Sequence, residues 1–313
     1  MIQPLVKPVL VVGAGITGIS CARVLQQHGI AFRVGNKGRK IGGRVASRMV
    51  RDSGTSFDGR VFDTGASYFT VSDPTFRTEV DEMLERGIVS EWTDSFHFAD
   101  SSGILGVKVG PMRYRAPAGI RSVVEHLAAG IEVTEGEIES LEGIDERIAL
   151  CMPIPQAQRI YPDASSINPC TWEPVISVSM LFDQQHWHDF DGIFINNDFE
   201  LTWIANDGSR RGDGAPALVA HVQPVLSSRH LADTQSIIPF AVSAVQRILG
   251  FSEFPTWTAA QRWTYAKPVE GTTTSEPLFH FGEVSLAGDS FSDRPRVEAG
   301  WISGAALGNA LLG

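Results

Sequence analysis

The amino-acid sequence predicts an α/β protein of two domains, one with a parallel sheet and one with a mixed or antiparallel sheet plus helices. Three observations support this prediction. The chain has 313 residues, more than one hydrophobic core usually covers. Near its start, an apolar run, a glycine-rich turn, a helical pattern and a second apolar run follow one another as in a βαβ unit. Residues 176–182 and 217–222 alternate or run apolar, which predicts strands of a second sheet.

The first βαβ unit has a sharp local pattern. Residues 9–12 are a short β-branched run, suited to a parallel strand that is buried on both faces. Residues 16–27 follow as a helix that ends before a glycine, and residues 30–34 supply the next strand. A GxGxxG motif at 13–18 connects the first strand to the helix. That context makes this motif a dinucleotide-binding turn of the Rossmann type.

Each position of the motif has a separate physical use. Gly13 permits the tight turn, Gly15 lets a diphosphate approach the backbone, and Gly18 lets the helix pack closely on the strand. At the start of the helix, Ile16 and Thr17 present free N–H groups and a partial positive charge to the phosphates.

The acid that usually follows about 20 residues later, and binds the ribose hydroxyls, is absent. The second strand instead ends at Asn36, with Arg33, Lys37 and Arg39 around it. Two interpretations remain open. The amide makes a weaker, neutral bond to a ribose hydroxyl, or a neutral residue among bases accommodates a 2′-phosphate.

Later elements follow from capping and breaking signals. Asp73-Pro74 predicts a helix start, with Gly87 beyond its end. A second helix is predicted over 117–129, a strand over 131–133, and a long helix over 233–249.

Charge and composition narrow the function classes. The net charge is −10, yet residues 1–51 hold nine Lys or Arg and no acid, and seven of these bases lie within 33–51. The net acidity disfavours nucleic acid as a partner, whereas the basic segment indicates a local anionic ligand. No run of 18 apolar residues predicts a membrane span. The three cysteines form no CxxC pair and no metal-ligand pattern, so no metal is expected. Without a signal-peptide pattern, we expect a cytoplasmic protein.

Three further motifs carry a family resemblance: IGGRVAS at 41–47, DTGASYF at 63–69 and LAGD at 286–289. With the GxGxxG motif they resemble the FAD-binding signatures of the flavin amine oxidase superfamily. The resemblance is strongest to the renalases, above all the bacterial ones, because several shorter fragments occur in the family's order. These fragments lie at 68–73, 91–93, 116–120, 152–156, 262–268 and 296–304.

The resemblance implies a discontinuous, Rossmann-type FAD-binding domain and a substrate domain. The first would comprise residues 1–69, 112–168 and 278–313, and the second residues 70–111 and 169–277. FAD would be bound non-covalently, because no cysteine follows Cys170 to form a thioether. The implied FAD contacts are Gly13, Gly15, Ile16, Thr17, Gly18, Asn36, Lys37, Gly43, Arg44, Ala66, Ser67, Tyr68, Val133, Gly288, Asp289, Glu298 and Ile302.

The same resemblance implies a substrate pocket beside the flavin. Tyr68, Trp263 and Tyr265 would contribute aromatic side chains, although ordinary aromatic packing explains them equally. Asn206 and His221 resemble polar positions on the substrate side of renalases, while a lone histidine on a strand is more often structural. We expect these five residues to form the catalytic pocket.

The implied activity is oxidation of aberrant dihydronicotinamide dinucleotides, the 2- or 6-dihydro isomers of NAD(P)H. The products would be β-NAD(P)+ and, with O2 as acceptor, H2O2. Two alternatives remain open at this point: a flavin amine oxidase acting on a small amine, and a non-catalytic dinucleotide-binding protein.

Overall fold

The computed structural model describes residues 7–166, 170–270, 272–274 and 276–313. Their strands form a six-stranded sheet, a seven-stranded sheet and a two-stranded hairpin. The strands are β1 (Val9–Val12), β2 (Phe32–Asn36), β3 (Ser47–Met49), β4 (Val61–Asp63), β5 (Ser90–Asp100), β6 (Gly103–Arg115), β7 (Val133–Glu135), β8 (Arg147–Leu150), β9 (Trp172–Leu181), β10 (Gly192–Ile195), β11 (Leu201–Asn206), β12 (Ala217–Val222), β13 (Trp257–Pro268), β14 (Leu278–Phe281) and β15 (Val284–Ala287). The α-helices are α1 (Ile16–Gln27), α2 (Pro74–Glu85), α3 (Arg121–Leu127), α4 (Ile154–Ile160), α5 (Asp207–Arg211), α6 (Pro224–Arg229), α7 (Ile238–Leu249) and α8 (Val297–Ala310).

The six-stranded sheet has the order β14-β15-β8-β1-β2-β7. Strand β1 pairs in parallel with both β2 and β8, and only β14 runs antiparallel to its neighbour. Strand β1 is buried on both faces, as its sequence predicts. Val9 and Val11 pack in the core around α1, whereas Leu10 and Val12 pack in a separate core on the opposite face.

The seven-stranded sheet has the order β13-β9-β12-β11-β10-β5-β6. It is mixed, because β10 and β5 are parallel while the other neighbours are antiparallel. One face packs on α7 through side chains such as Val178 and Val245. The opposite face meets the loop after β4, where the Ser177 hydroxyl donates to the carbonyl of Thr64 at 2.7 Å. We call this second surface the inner face. The α/β fold with two sheets is therefore confirmed.

The element boundaries follow local signals closely. Strand β1 and helix α1 have the predicted bounds, and Asp73 caps α2 by accepting from the N–H groups of Thr75 and Phe76. The helix predicted over 117–129 is reduced to α3. The helix predicted over 233–249 is divided, because a turn of 3₁₀ helix at Gln235–Ile237 precedes α7.

Helix α2 lies within the segment predicted to belong to the substrate domain. Its buried side chains, Phe76, Val80 and Met83, nevertheless pack in the core around α1. The boundaries between the two domains therefore remain a prediction. Residues 167–168, at the end of one predicted segment, lie outside the described residues. No helix in the described part of the chain is long and apolar enough to cross a membrane.

Candidate active site

Two glycines of the turn after β1 are required by packing. Gly13 has a φ of 107°, and a Cβ there would lie 2.6 Å from the carbonyl oxygen of Cys151. A Cβ on Gly18 would lie 1.8 Å from the carbonyl oxygen of Gly13. Neither position can hold a larger residue without moving backbone, so both glycines are explained by the protein alone.

Gly15 is different, because nothing within the described protein demands a glycine there. Its φ of −79° is ordinary, and the nearest atom to an added Cβ is the Gly42 carbonyl oxygen at 3.9 Å. Gly15 is also the N-cap of α1, and no side chain bonds to the first N–H groups of that helix. Open space at an uncapped helix N-terminus fits a diphosphate. The first helical residues, Ile16 and Thr17, supply these N–H groups.

The side chain of Asn36 binds the protein's own backbone. Its Oδ1 accepts from the N–H of Ala14 at 3.2 Å, and its Nδ2 donates to the carbonyls of Gly38 at 2.6 Å and Lys40 at 3.2 Å. A carboxylate cannot donate, so aspartate could not hold the 37–40 turn in this way. This arrangement gives the missing acid a local explanation, because the amide fixes the turn beside the glycine motif.

The bases around Asn36 are paired with acids. Lys37, which was predicted to contact the cofactor, forms an ion pair with Glu137. Its charge is therefore already neutralised within the protein. The pairs are Lys37–Glu137 at 2.6 Å, Arg33–Glu146 at 2.6 Å and Arg39–Glu135 at 3.8 Å.

Arg44 and Asp289, both predicted to bind the cofactor, bind each other. The guanidinium donates to both carboxylate oxygens, at 2.8 and 2.6 Å, and to the carbonyl of Ala266 at 3.2 Å. It also lies over the ring of Trp172, 5.2 Å from its centroid. The pair joins the loop of residues 42–44, which we call the GGR loop, to the segment that follows β15. The family resemblance implies that both segments lie along the diphosphate.

Glu298 has a structural use that differs from the predicted cofactor contact. Its buried carboxylate accepts from the N–H groups of Ser72 at 2.5 Å and Asp73 at 2.7 Å, and from the Ser72 hydroxyl at 2.8 Å. Arg296 forms an ion pair with it at 2.5 Å. Glu298 therefore ties the start of α8 to the start of α2.

Five other predicted cofactor residues have contacts within the protein that can be described one by one. The N–H of Ala66 donates to the Arg44 carbonyl at 3.0 Å, and the N–H of Gly288 donates to the Ser303 hydroxyl at 2.9 Å. Val133 is the half-buried first residue of β7, and the half-buried Ile302 of α8 packs against the core around α1. A Cβ added to Gly43 would meet only the Cα of Gly15, at 3.5 Å.

Tyr68 belongs to an aromatic cluster on the inner face. Its ring lies 5.1 Å from that of Phe96, 5.8 Å from Trp203 and 6.3 Å from Trp92. The indole N–H of Trp203 donates to the Ser67 hydroxyl at 3.1 Å, which links the cluster to the DTGAS loop. Burial raises the pKa of the Tyr68 phenol, so this side chain is uncharged and contributes a neutral aromatic surface. Trp203 was not predicted to be a site residue, although alternation of side chains along its strand could have indicated which residues share a face.

His221 lies on the inner face beside this cluster. It is in register with Trp203 on β11 and with Ser177 on β9, so the three side chains point to the same side of the sheet. Its Nε2 is buried and has no hydrogen-bond partner among the described residues. Burial, assisted by the charge of Arg210, lowers the pKa of His221 to about 4. The imidazole is therefore neutral at pH 7.

Asn206 does not share a pocket with His221, contrary to the prediction. It pairs with Leu218, whose side chain packs in the core on the α7 face. Its own side chain caps α5 by accepting from the N–H of Ser209 at 3.1 Å. A separate cavity of about 370 Å³, lined also by His97 and Asp191, lies at this position. The correction follows from strand register, since neighbouring residues of a strand point to opposite faces.

The two predicted aromatic residues of β13 have different surroundings. The indole N–H of Trp263 donates to the Thr64 carbonyl at 2.6 Å, so this side chain reaches the DTGAS loop. The Tyr265 hydroxyl instead accepts from Arg159 at 3.0 Å, and its ring packs edge-on against Trp172. Trp263 therefore joins Tyr68 and His221 around this loop, whereas Tyr265 does not.

A buried ion network lies beside the DTGAS loop, and no sequence pattern predicted it. We use this name for Arg60, Asp63, Asp207, Arg210 and Arg211. Arg210 is fully buried, pairs with Asp207, and donates to the carbonyls of Ser67 at 3.1 Å and Asp63 at 3.3 Å. Arg211 pairs with Asp63, and Arg60 with Asp207 at 2.5 Å. The network thus fixes the backbone of the DTGAS loop. The only available signal was the run of charges in 207–211 directly after a strand.

A groove of about 800 Å³ opens between the loop after β2, the β3 strand and the edge strand β13. We call it the basic groove. Trp263 and Thr64 line one part of it, and Asn36 and Gly43 another. None of its lining residues in the described chain is acidic, and six are basic: Lys37, Arg39, Lys40, Arg48, Arg51 and Arg121.

Comparisons with known proteins agree with this geometry. Residues 11–86 match the NAD(P)-binding Rossmann-like domain. The chain is 26% identical to renalase of the mouse (Mus musculus), over 83% of this chain and 84% of that protein. Its fold is similar to that of a protein assigned as protoporphyrinogen oxidase from Exiguobacterium sp. 255-15, with a TM-score of 0.77, 13% identity and coverage of 97% and 98%.

It is also similar to wild-type putrescine oxidase with bound putrescine, with a TM-score of 0.71, 12% identity and coverage of 98% and 99%. The resemblance inferred from the sequence motifs is thereby confirmed. The chain is similar in sequence to renalase, matches an NAD(P)-binding Rossmann-like domain over its first part, and shares its fold with these two solved oxidases.

Proposed function

We propose that the chain is an FAD-dependent oxidase of dihydronicotinamide dinucleotides, the 2- or 6-dihydro isomers of NAD(P)H. The balanced reaction consumes the dinucleotide, O2 and one proton, and it yields β-NAD(P)+ and H2O2. One observation carries the proposal: each buried carboxylate of the described site is already bound by partners within the protein. The site therefore offers no free carboxylate as a general base.

Four carboxylates illustrate this point. Asp63 and Asp207 are held by the buried ion network, and Asp289 is bound in bidentate fashion by Arg44. Glu298 accepts from the backbone at the start of α2. A dihydropyridine gives up hydride without first losing a proton, so such a site needs to position its substrate and not to deprotonate it.

The residues that would hold FAD are those around the open space at Gly15. The N-terminus of α1 would bind the diphosphate, Gly43 would allow close approach from the other side, and Ala66 and Ser67 would lie along the ring system. Cys21 and Cys151 are buried, and the half-buried Cys170 donates to the carbonyl of Thr171 at 3.5 Å. We therefore propose that FAD is bound non-covalently. When bound, the flavin supplies the hydride acceptor and passes the electrons on to O2.

The substrate ring would lie between the DTGAS loop and the inner face. Tyr68, Trp203 and Trp263 would provide aromatic walls that exclude water. His221 would direct its unpartnered Nε2 towards the carboxamide of the nicotinamide ring, and as a neutral group it would not oppose the positive charge that develops on the product ring.

The purified protein tests the proposal directly. We expect a yellow protein with the absorption bands of oxidised flavin, which anaerobic addition of 2- or 6-dihydroNAD(P) bleaches. A His221→Phe variant should keep its flavin and be bleached more slowly at low substrate concentration, because the variant lacks the polar contact. A protein that is colourless and does not take up FAD would contradict the proposal in favour of a non-catalytic dinucleotide-binding protein.

An oxidase of a small amine is the second candidate. It is favoured by the aromatic cluster around Tyr68, because amine oxidation requires a neutral amine held among aromatic rings. Simple amines such as putrescine are therefore included in the anaerobic screen. Bleaching by amines but by neither dihydronicotinamide isomer would reverse the assignment.

A further inference from the structure

Three arginines are buried in the described part of the chain, and they differ in their partners. Arg210 pairs with Asp207, and Arg211 pairs with Asp63, inside the buried ion network. Arg113, near the end of β6, is only 8% exposed and forms no ion pair with the described residues. Because a buried charge is costly unless it is paired, the positive charge of Arg113 is not accounted for by the protein itself.

The guanidinium of Arg113 lies between an aromatic ring and a glycine. It covers the ring of Phe96, 4.2 Å from its centroid, and a Cβ added to Gly110 would lie 2.8 Å from its Nη2. Its Nη1 donates to the carbonyl of Asp94, whose carboxylate accepts from the Ser95 hydroxyl at 2.6 Å. The Nε and Nη2 groups have no acceptor among the described residues. Most of the N–H donors of this side chain are therefore available to a ligand.

Arg113 lies beside the proposed substrate pocket. The Phe96 ring that it covers belongs to the aromatic cluster and is 5.1 Å from the ring of Tyr68. The next residue of β6, Tyr114, pairs with Phe69 at the end of the DTGASYF motif. Burial raises the pKa of Tyr68, and the positive charge of Arg113 opposes this rise in part. The charge of Arg113 therefore acts on a residue that would contact the substrate ring.

The cofactor does not account for this charge. The basic groove borders β13, and β13 and β6 are the two opposite edge strands of the seven-stranded sheet. No residue of β6 lines the groove. Gly15 adjoins Gly43, which lines the groove. The phosphates of FAD bound there would lie near β13, whereas Arg113 lies at the other edge of the sheet.

We propose that Arg113 binds a phosphate of the dihydronicotinamide dinucleotide and thereby selects anionic substrates. This inference rests on the proposed function. A guanidinium with free N–H groups forms charge-assisted hydrogen bonds with phosphate. A cationic amine would instead meet a buried like charge, which is unfavourable. The charge of Arg113 therefore favours the dinucleotide over the amine as the occupant of the aromatic pocket.

The test compares two pyridinium ligands that differ only in a phosphate group, β-nicotinamide mononucleotide and nicotinamide riboside. Their affinities for the FAD-loaded enzyme are measured by calorimetry. The first variant is Arg113→Gln. The second is Gly110→Ala, whose added Cβ would displace the guanidinium without removing it, from an exposed position of β6. The matched control is Lys108→Gln, which removes one positive charge from another exposed position of the same strand.

We expect Arg113→Gln to bind the mononucleotide about tenfold more weakly, while its affinity for the riboside does not fall. Gly110→Ala should show a smaller loss in the same direction, and it decides the question alone if Arg113→Gln does not fold. Lys108→Gln should bind both ligands as the wild-type enzyme does.

Three results would overturn the inference. Equal losses for the two ligands would show that Arg113 only supports the aromatic cluster. Loss of FAD from Arg113→Gln would show that the residue serves the cofactor. A mononucleotide affinity that is unchanged in the variants, or no higher than the riboside affinity in the wild-type enzyme, would show that Arg113 binds no phosphate.

Failure of the proposed function has a different signature. In that case no dihydronicotinamide isomer would bleach the flavin of the wild-type enzyme, whatever its affinity for the mononucleotide. The inference about Arg113 fails alone if the isomers bleach the wild-type flavin while the preference for the phosphorylated ligand does not depend on Arg113.

Discussion

The charged residues of this protein occupy two contrasting regions. In the buried ion network, arginines pair with aspartates and donate to the backbone of the DTGAS loop. In the basic segment of residues 33–51, the charges are largely exposed, and those beyond Arg39 lack acidic partners except at Arg44. The same residue types therefore have different roles. Buried charges hold a loop in position, whereas unpaired charges are available to bind an anionic ligand.

The largest effect is expected when a charge is removed from the buried ion network. Arg210→Met leaves Asp207 and two carbonyls without a buried donor, and we expect a loss of about 3–5 kcal/mol in the free energy of unfolding. Denaturant titration measures this. Arg86→Met, at the exposed C-cap of α2, is the control and should change stability by no more than about 0.5 kcal/mol. Similar values for the two variants would show that the network is not structurally important.

A second prediction concerns His221, whose pKa the network's Arg210 helps to lower. The folded value of about 4 lies below the unfolded value of about 6.5. The unfolded chain therefore binds the proton first, and the associated stability is present above about pH 6.5 and lost as the pH falls towards 4. The full effect is roughly 3 kcal/mol.

His221→Asn should flatten this part of the stability profile. Denaturant titrations of both proteins at several pH values, compared as differences, remove the contribution of the carboxylates they share. Parallel profiles for the two proteins would contradict the lowered pKa of His221.

The Arg44–Asp289 pair lies between the two extremes, because it is half-buried and adjoins the expected cofactor. Arg44→Met should weaken FAD binding by about tenfold, or about 1.4 kcal/mol, because the GGR loop loses its link to β15 and a positive charge near the diphosphate. Fluorescence titration of the apoprotein with FAD measures this. Arg33→Gln serves as a charge-matched control. Unchanged flavin retention in Arg44→Met would contradict the role of this pair.

The exposed pairs should matter least. Arg33→Gln breaks the contact between β2 and Glu146, the residue before β8, at a place where the arginine side chain is 54% exposed to water. We expect a change of at most about 1 kcal/mol in the free energy of unfolding. A loss of more than about 2 kcal/mol would show that the first sheet depends on this pair, and the distinction between the two regions would be weakened.

Features that depend on residues close together in the chain could be predicted from the sequence. Strand β1, helix α1 and the Asp73 cap were found because each depends on neighbours within a few residues. Asn206 was placed in the wrong environment because only strand pairing decides which face its side chain takes. The acidic partners of Lys37 and Arg39 could not be predicted for the same reason, because they come from residues about a hundred positions away.

The buried ion network could not be predicted from composition, since charged residues are usually exposed. Arg210 is fully buried because α5 brings its side chain against the carbonyls of Asp63 and Ser67, which lie more than a hundred residues earlier in the chain. The family resemblance, by contrast, came from an ordered set of motifs and did not require knowledge of packing.

The central claim is that this site transfers hydride from a dihydropyridine without a general base. The most direct measurement is the rate of anaerobic flavin bleaching by saturating 2- or 6-dihydroNADP between about pH 6 and about pH 9. We predict rapid bleaching at a rate that is nearly independent of pH, because the carboxylates are occupied and His221 is already neutral. A rate that rises with pH through a single ionisation, or bleaching by amines alone, would contradict the account.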